Sequence, residues 1–293
     1  MKKVLIIGGT GTVGSQVVKE LLKKGQQVRV LTTSKEKCAA LPKGVEGVLG
    51  DLAQPASLPT AFEGVDKVFM VNAHSQTELT QAGNAIAAAK RAGVQKLVYQ
   101  SIHRAHEYQV IPHVATKVQV EELVQQSGLN YTFVCPNNFF QNDFWFKDAI
   151  LQYGIYPQPI GDLGMNRIDV RDIAEVAVTA MFSQEYDGQS IPLAGPDILN
   201  GADTARILSE EIGIQVNYAG NDLVPWAEQT RQIMPDWIVD DWTIMYSQFQ
   251  LRGAVATEQE LELLTKVLGS VPRSYASFVK EHIPFFQPAP SLV

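Results

Sequence analysis

Lys3-Val4-Leu5-Ile6-Ile7-Gly8-Gly9-Thr10-Gly11-Thr12-Val13-Gly14 is the stretch whose reading decides the fold. An apolar run of strand length leads straight into glycines spaced at 8, 11 and 14, and Gly14–Lys24 continues as an amphipathic helix. A diphosphate needs close backbone approach and several N–H donors. Glycines allow the approach, and a helix N-terminus supplies both donors and a partial positive charge. The strand before and the helix after make this a phosphate-holding β–α turn rather than a plain one.

Outward from that turn, the first half of the chain repeats the alternation. Strands are expected at Lys3–Ile7, Gln27–Thr32, Glu46–Leu49, Lys67–Val71, Lys96–Gln100 and Asn130–Val134, with Gly14–Lys24 and Glu78–Ala92 the clearest helices. Gly25, Gly93 and Gly128 stand where helices should stop. This predicts an α/β fold, a doubly wound parallel sheet of Rossmann type, with a second, smaller, mostly helical domain. The dinucleotide-binding domain is expected over 1–152, with 166–197 returning to it. The substrate-side domain is expected over 153–165 and 198–293. Tyr153–Gly164 reads as a loop, Asp169–Phe182 as a turn and helix, and Ser190–Ala194 as a strand. Helices follow at Ala202–Ile212, capped by Asn200, and at Glu258–Leu268, and Phe285–Val293 reads as a surface arm.

Composition narrows the function. With 45% hydrophobic and 19% charged residues the chain is an ordinary globular one, and a net charge of -7 argues against nucleic-acid or membrane-surface partners. The opening apolar run is too short for a membrane span or a signal peptide, so a cytoplasmic protein is expected. Cys38 and Cys135 read as reduced thiols and cannot build a metal cluster, so no metal is expected.

NADP(H) is the expected cofactor, with NAD(H) the alternative. The end of the second strand reads Val30-Leu31-Thr32-Thr33-Ser34-Lys35-Glu36-Lys37. The acid that would accept from ribose hydroxyls in an NAD site is missing at the strand tip. Hydroxyls and the ammonium groups of Lys35 and Lys37 suit a 2′-phosphate. Those lysines can also be read as solvated charges at a helix start. After the third strand, Asp51 can accept from an adenine amino group or simply close a turn. Asn72-Ala73-His74 follows the fourth strand, where a small residue lets the backbone pass close to a ribose.

With these motifs in hand, the chain resembles the NmrA-like, atypical short-chain dehydrogenase/reductases. That family holds NADPH-dependent quinone reductases as well as NADP sensors. The matching stretches are GGTGTVG (8–14), GDL (50–52), KLVYQSI (96–102), HVATKVQVEELVQQSGLNYTFVCPNNFFQN (113–142), IDVRDIAEVA (168–177), PLAGP (192–196) and GSVPRSYASFVKEH (269–282). The resemblance implies that Gly8, Gly9, Thr10, Gly11, Thr12 and Val13, with Asp51, Leu52, Asn72 and Ala73, line the cofactor. It also implies that Lys117 reaches the nicotinamide ribose and that Pro136, Asn137 and Phe139 lie along the nicotinamide. Where the family often has Arg, this chain has Thr33, which leaves Lys35 or Lys37 to meet a 2′-phosphate.

Ordinary short-chain dehydrogenases do their proton work with Tyr-x-x-x-Lys, in which an ammonium one helical turn from a phenol favours the phenolate. Here that spacing holds His113-Val114-Ala115-Thr116-Lys117, and Ser101 stands at the hydroxyl-donor position after the fifth strand. Lysine and serine remain, but the tyrosine does not. An ammonium beside His113 opposes imidazolium formation, which makes His113 a poor acid, and a ribose contact or helix cap is its other reading. Reduction of an isolated ketone is thereby disfavoured. A quinone or other conjugated acceptor spreads the incoming charge and needs mainly orientation.

On the substrate side, Phe139-Phe140-Gln141-Asn142-Asp143-Phe144-Trp145-Phe146 offers rings for a flat, conjugated small molecule, or core packing. Trp226 to Phe249, with Trp237, Trp242 and Tyr246, reads as a lid or as the contact of a homodimer. Asp169-Val170-Arg171-Asp172 reads as a structural charge network. Two functions from different classes follow: an NADPH-dependent quinone-type reductase, or a redox sensor that acts on a regulatory protein partner without turnover.

Overall fold

A computed structural model of the chain describes residues 3–286. Chain contacts divide it into two units. The first holds the chain up to Pro136, Val170–Leu193 and Lys266–Gly269; the second holds Asn137–Asp169, Ala194–Thr265 and the chain from Ser270. Residues 137–152, expected in the nucleotide domain, thus cluster with the second unit, because the chain leaves the sheet at Pro136.

In the first unit, strands β1 (Lys3–Ile7), β2 (Val28–Thr32), β3 (Val45–Leu49), β4 (Val65–Met70), β5 (Lys96–Gln100) and β6 (Tyr131–Pro136) alternate with helices. These are α1 (Thr12–Lys23), α2 (Lys35–Ala39), α3 (Pro59–Phe62), α4 (Glu78–Arg91) and α5 (Pro112–Gln126). The second unit then supplies α6 (Lys147–Tyr153) and β7 (Ile155–Tyr156), and the chain returns through α7 (Val170–Phe182) and β8 (Ser190–Leu193). The sheet is parallel throughout, in the order β3-β2-β1-β4-β5-β6-β8. Strand order reverses between β1 and β4, and in such sheets the crevice at the carboxyl ends of those two strands is where ligands lie.

Periodicity explains the elements. Val4–Ile7 are all buried, as are all five residues of β2 and of β5, the pattern of strands covered on both faces. Helix α1 buries Val13, Val17, Val18 and Leu21, four positions on one stripe, and packs on α7. Gly25, Gly93 and Gly128 have φ of 67°, 70° and 78°, the left-handed turn that ends a helix.

The second unit continues with α8 (Gly201–Ile212), β9 (Asn217–Tyr218), α9 (Leu223–Thr230), α10 (Asp236–Arg252), α11 (Glu258–Leu268) and α12 (Tyr275–Glu281). Asn200 caps α8 in a capping box with Asp203, as its side chain allows. The segment read as a plain loop contains β7, which pairs in parallel with β9. Phe286 is buried within a tight turn at Ile283–Phe286, so the expected surface arm does not begin at Phe285; its remainder lies outside the described residues. Among the described residues no helix is long and apolar enough to cross a membrane.

Candidate functional site

The turn after β1 has glycines for two separate reasons. Gly8 sits at φ 81°, and a Cβ there would stand 2.6 Å from the carbonyl oxygen of Val71; a Cβ on Gly14 would collide with the Gly8 carbonyl. These two are demanded by the fold itself. Gly11 is different. A Cβ there would meet the Gly8 oxygen at 3.3 Å and no other atom within contact range, and the residue is exposed. Gly11 is the N-cap of α1, with no side-chain cap, and the first turn carries no acid. The helix's first amides therefore face outward with no side chain to satisfy them, the arrangement that holds an anion.

At the tip of β2, Thr33 is exposed, and Ser34 caps α2 by accepting from the Lys37 amide. Ser34 Oγ also donates to Glu36 at 2.6 Å, which draws the Glu36 carboxyl below its ordinary range. Lys35 and Lys37 are exposed and form no ion pair among the described residues. Asp51 closes its own turn by accepting from Ala53 N at 2.8 Å, and the Leu52 carbonyl accepts from Asn84 Nδ2 at 2.8 Å.

The ends of β4 and β5 bring together what the chain separates. Asn72 is 6% exposed, and neither end of its amide has a partner, while Ala73 beside it is exposed. Ser101 is 1% exposed, with an unpartnered hydroxyl. Lys117, on α5, is buried, and its Nζ lies 2.7 Å from Oε1 of Glu78, the first residue of α4. Glu78 is buried too. Neither of its oxygens receives an aligned hydrogen bond, so this contact is an ion pair by distance rather than a directed bond. The Lys117 ammonium also lies 5.5 Å from the centre of the Tyr99 ring.

One expectation changes here. The charge on Lys117 is met by the Glu78 carboxylate, so Lys117 is not the lone charge that its spacing from His113 suggests. His113 instead packs its ring against His74, with centroids 5.1 Å apart. Tyr99, whose ring lies beside Lys117, is a buried phenol and a poor acid. Burial, and then the Glu78 and Glu121 charges, push its pKa well above the usual phenol value. Glu78 was not singled out from the sequence, since an acid in the first turn of a helix is ordinary there.

Of the residues expected along a nicotinamide, Pro136 ends β6 in the first unit, and Asn137 and Phe139 belong to the second. Asn137 donates to the Ala254 carbonyl at 2.7 Å and accepts from Asn138 N at 2.7 Å, so both ends of its amide clamp the second unit's own backbone. The Phe139 carbonyl accepts from Arg167 Nη2 at 2.9 Å. No local motif marks this arginine. Arg167 and Asp143 are fully buried, 2.7 Å apart, and Tyr275 donates to the same carboxylate at 2.6 Å. Burial works against the Arg167 charge, but Asp143 outweighs it and the net effect raises its pKa.

The aromatic run after β6 divides. Phe140 and Phe144 pack on Phe278 as core. Trp145 and Phe146 instead line a pocket of about 220 Å³ with Trp242, Met245 and Tyr246 from α10. Asn138, Asn142 and Gln158 complete its wall. Trp226 packs edge-on against Tyr246 at 4.9 Å.

The profile of the NmrA-like family matches residues 1–272. The chain belongs to the NmrA-like family. Over 289 residues it is 34% identical to an NAD(P)H azoreductase of Xenophilus azovorans, covering 97% of this chain and 99% of that protein. An NADPH-dependent quinone oxidoreductase of Escherichia coli, solved with NADPH, superposes with a TM-score of 0.85 at 23% identity, covering 95% of this chain and 99% of that one. A triphenylmethane reductase of Citrobacter sp., solved with NADP(H), does so with a TM-score of 0.83 at 24% identity, covering 95% and 99%. At that identity the two solved structures speak for the fold of this NmrA-like protein, a Rossmann sheet followed by a helical region.

Proposed function

We propose that this NmrA-like protein is an NADPH-dependent reductase of a quinone or a similar conjugated small molecule. The observation that carries the reading is the set of buried polar atoms without partners at the ends of β4 and β5. The side chains of Asn72 and Ser101 have no hydrogen-bond partner among the described residues, and a buried polar group is tolerated when a ligand meets it. The open space at Gly11 fits a diphosphate, so the residues present suit a dinucleotide.

Bound NADPH would supply a hydride. The chain's residues do the rest. The first amides of α1 bind the diphosphate, with Gly11 giving it room. Lys35 and Lys37 favour a 2′-phosphate, which supports NADPH over NADH. Lys117, held by Glu78, donates to the nicotinamide ribose, and Asn72 takes the neighbouring backbone or ribose oxygen. Ser101 donates to the acceptor's oxygen, and His113 contacts it or the ribose. No phenol stands one turn before Lys117, and Tyr99 is a poorer acid than an ordinary phenol. The chain therefore orients an acceptor that can delocalise the incoming charge and take its proton from water, and it lacks the lysine-paired phenol that serves an isolated ketone. The azo, quinone and dye reductases among its relatives act on acceptors of that kind by name.

Stopped-flow oxidation of NADPH against quinones and simple ketones tests this. Quinones should turn over and ketones should not, and NADPH should be preferred to NADH by about tenfold. Failure with every acceptor would overturn the proposal.

A further inference from the structure

The pocket in the second unit has a wall whose chemistry is selective. Its rings and Met245 offer flat apolar contact, and its polar members are carboxamides. The one ionisable group among them is the Tyr246 phenol, which burial drives upward in pKa and so keeps neutral. Arg167, whose Nε reaches the lining residue Asn138, is already paired: it gives Asp143 two bonds, at 2.9 and 2.7 Å. A charged ligand group entering this space would lose water and find no counter-charge.

The carboxamides are oriented. Arg167 Nε can only donate, and it donates to Asn138 Oδ1 at 3.2 Å; Asn142 Nδ2 donates to the same oxygen at 3.3 Å. This fixes the Asn138 carbonyl inward and leaves its Nδ2 as a donor. Gln158 is 3% exposed, and its Oε1 lies 3.4 Å from the Tyr156 hydroxyl, whose one hydrogen it shares with Asp143, while its Nε2 has no partner among the described residues. Two amide donors in a charge-free aromatic pocket match carbonyl oxygens. At about 220 Å³ the space falls below the range of roughly 300–1,000 Å³ that drug-sized ligands fill, which suits one or two fused rings.

We infer that this pocket recognises the electron acceptor and selects an uncharged one- or two-ring quinone over a charged dye, with Asn138 and Gln158 reading its carbonyl oxygens. The inference takes the reductase reading as its basis, yet binding tests it separately from turnover.

The test uses a naphthoquinone and the same naphthoquinone carrying one sulfonate, each titrated into the full chain with NADP⁺ present. Tryptophan fluorescence is the readout, because Trp145 and Trp242 line the pocket. The neutral compound should quench at a concentration lower by about tenfold or more. Trp145 is 67% exposed, so Trp145→Ala should fold normally while weakening quinone binding. Met245→Lys should narrow or reverse the preference by supplying the missing counter-charge. Equal binding of the two compounds, or a preference unmoved by Met245→Lys, would overturn the inference. Charge-selective binding without NADPH oxidation would keep it and end the reductase reading. Turnover without charge preference would do the opposite.

Discussion

Two clusters of buried polar groups in this NmrA-like protein, one within each unit, are satisfied in opposite ways. In the second, Arg167, Asp143, Tyr156 and Tyr275 close on one another: Asp143 receives bonds from Arg167, Tyr156 and Tyr275, and none of these side chains is left unsatisfied. In the first, Asn72, Gln100 and Ser101 are buried with polar atoms unmet, and Glu78 has only the undirected charge of Lys117. A closed network fixes a fold, whereas an open one at the carboxyl edge of a Rossmann sheet awaits a partner. The contrast separates a cluster whose groups satisfy one another, around Asp143, from one whose groups do not, around Ser101.

The substitution expected to act most strongly breaks the closed network. Asp143→Ala leaves Arg167 buried without its counter-ion and should lower stability by about 3–5 kcal/mol, seen in urea unfolding with or without NADPH. A loss below about 1 kcal/mol would mean that the network is not what holds the second unit.

Glu78→Gln and Lys117→Met probe the one ion pair in the open site. Each alone strands a buried charge and should destabilise by about 3 kcal/mol, the low end for a buried pair because no directed bond is lost. The double substitution should lose less than the sum, and both variants carrying Lys117→Met should bind NADPH more weakly. Additive losses would show that Glu78 does not hold Lys117.

The gentlest change sharpens the contrast furthest. Ser101 Oγ has no partner among the described residues, so Ser101→Ala should leave the stability of the free protein unchanged or slightly higher. Its quinone turnover should nevertheless fall by about tenfold. A clear loss of stability would assign that hydroxyl to the fold.

The open site and the closed network were unequally legible in the sequence. The glycine turn, the strands flanking it and the helix stops are local signals, each set by residues within a few positions, and they predict the sheet well. Lys117 and Ser101 carried a motif spacing. Glu78 stands 39 positions before Lys117 in the chain, and at a helix start an acid is unremarkable, so burial alone reveals it. Asp143 sat unremarked within an aromatic run, and Arg167 is 24 residues further on. Pairings at such separations exist only once the chain has folded. The same holds for the aromatic residues: Phe140 and Trp145 look alike in sequence, yet one is core and the other is two-thirds exposed.

The central claim is that the bare amides of α1, opened by Gly11, hold a dinucleotide diphosphate. Calorimetric titration of NADPH into the wild-type chain and into Gly11→Asp tests it most directly. A Cβ at Gly11 would press on the Gly8 carbonyl oxygen alone, at 3.3 Å, and Asp is a favoured N-cap, so the variant should stay folded and unfold within a few degrees of the parent when no nucleotide is present. The account predicts one NADPH bound per wild-type chain and an affinity lower by about 100-fold or more in the variant, where a carboxylate faces the diphosphate. Equal affinity in the two proteins, or no binding of NADPH or NADH to the wild type, would contradict it.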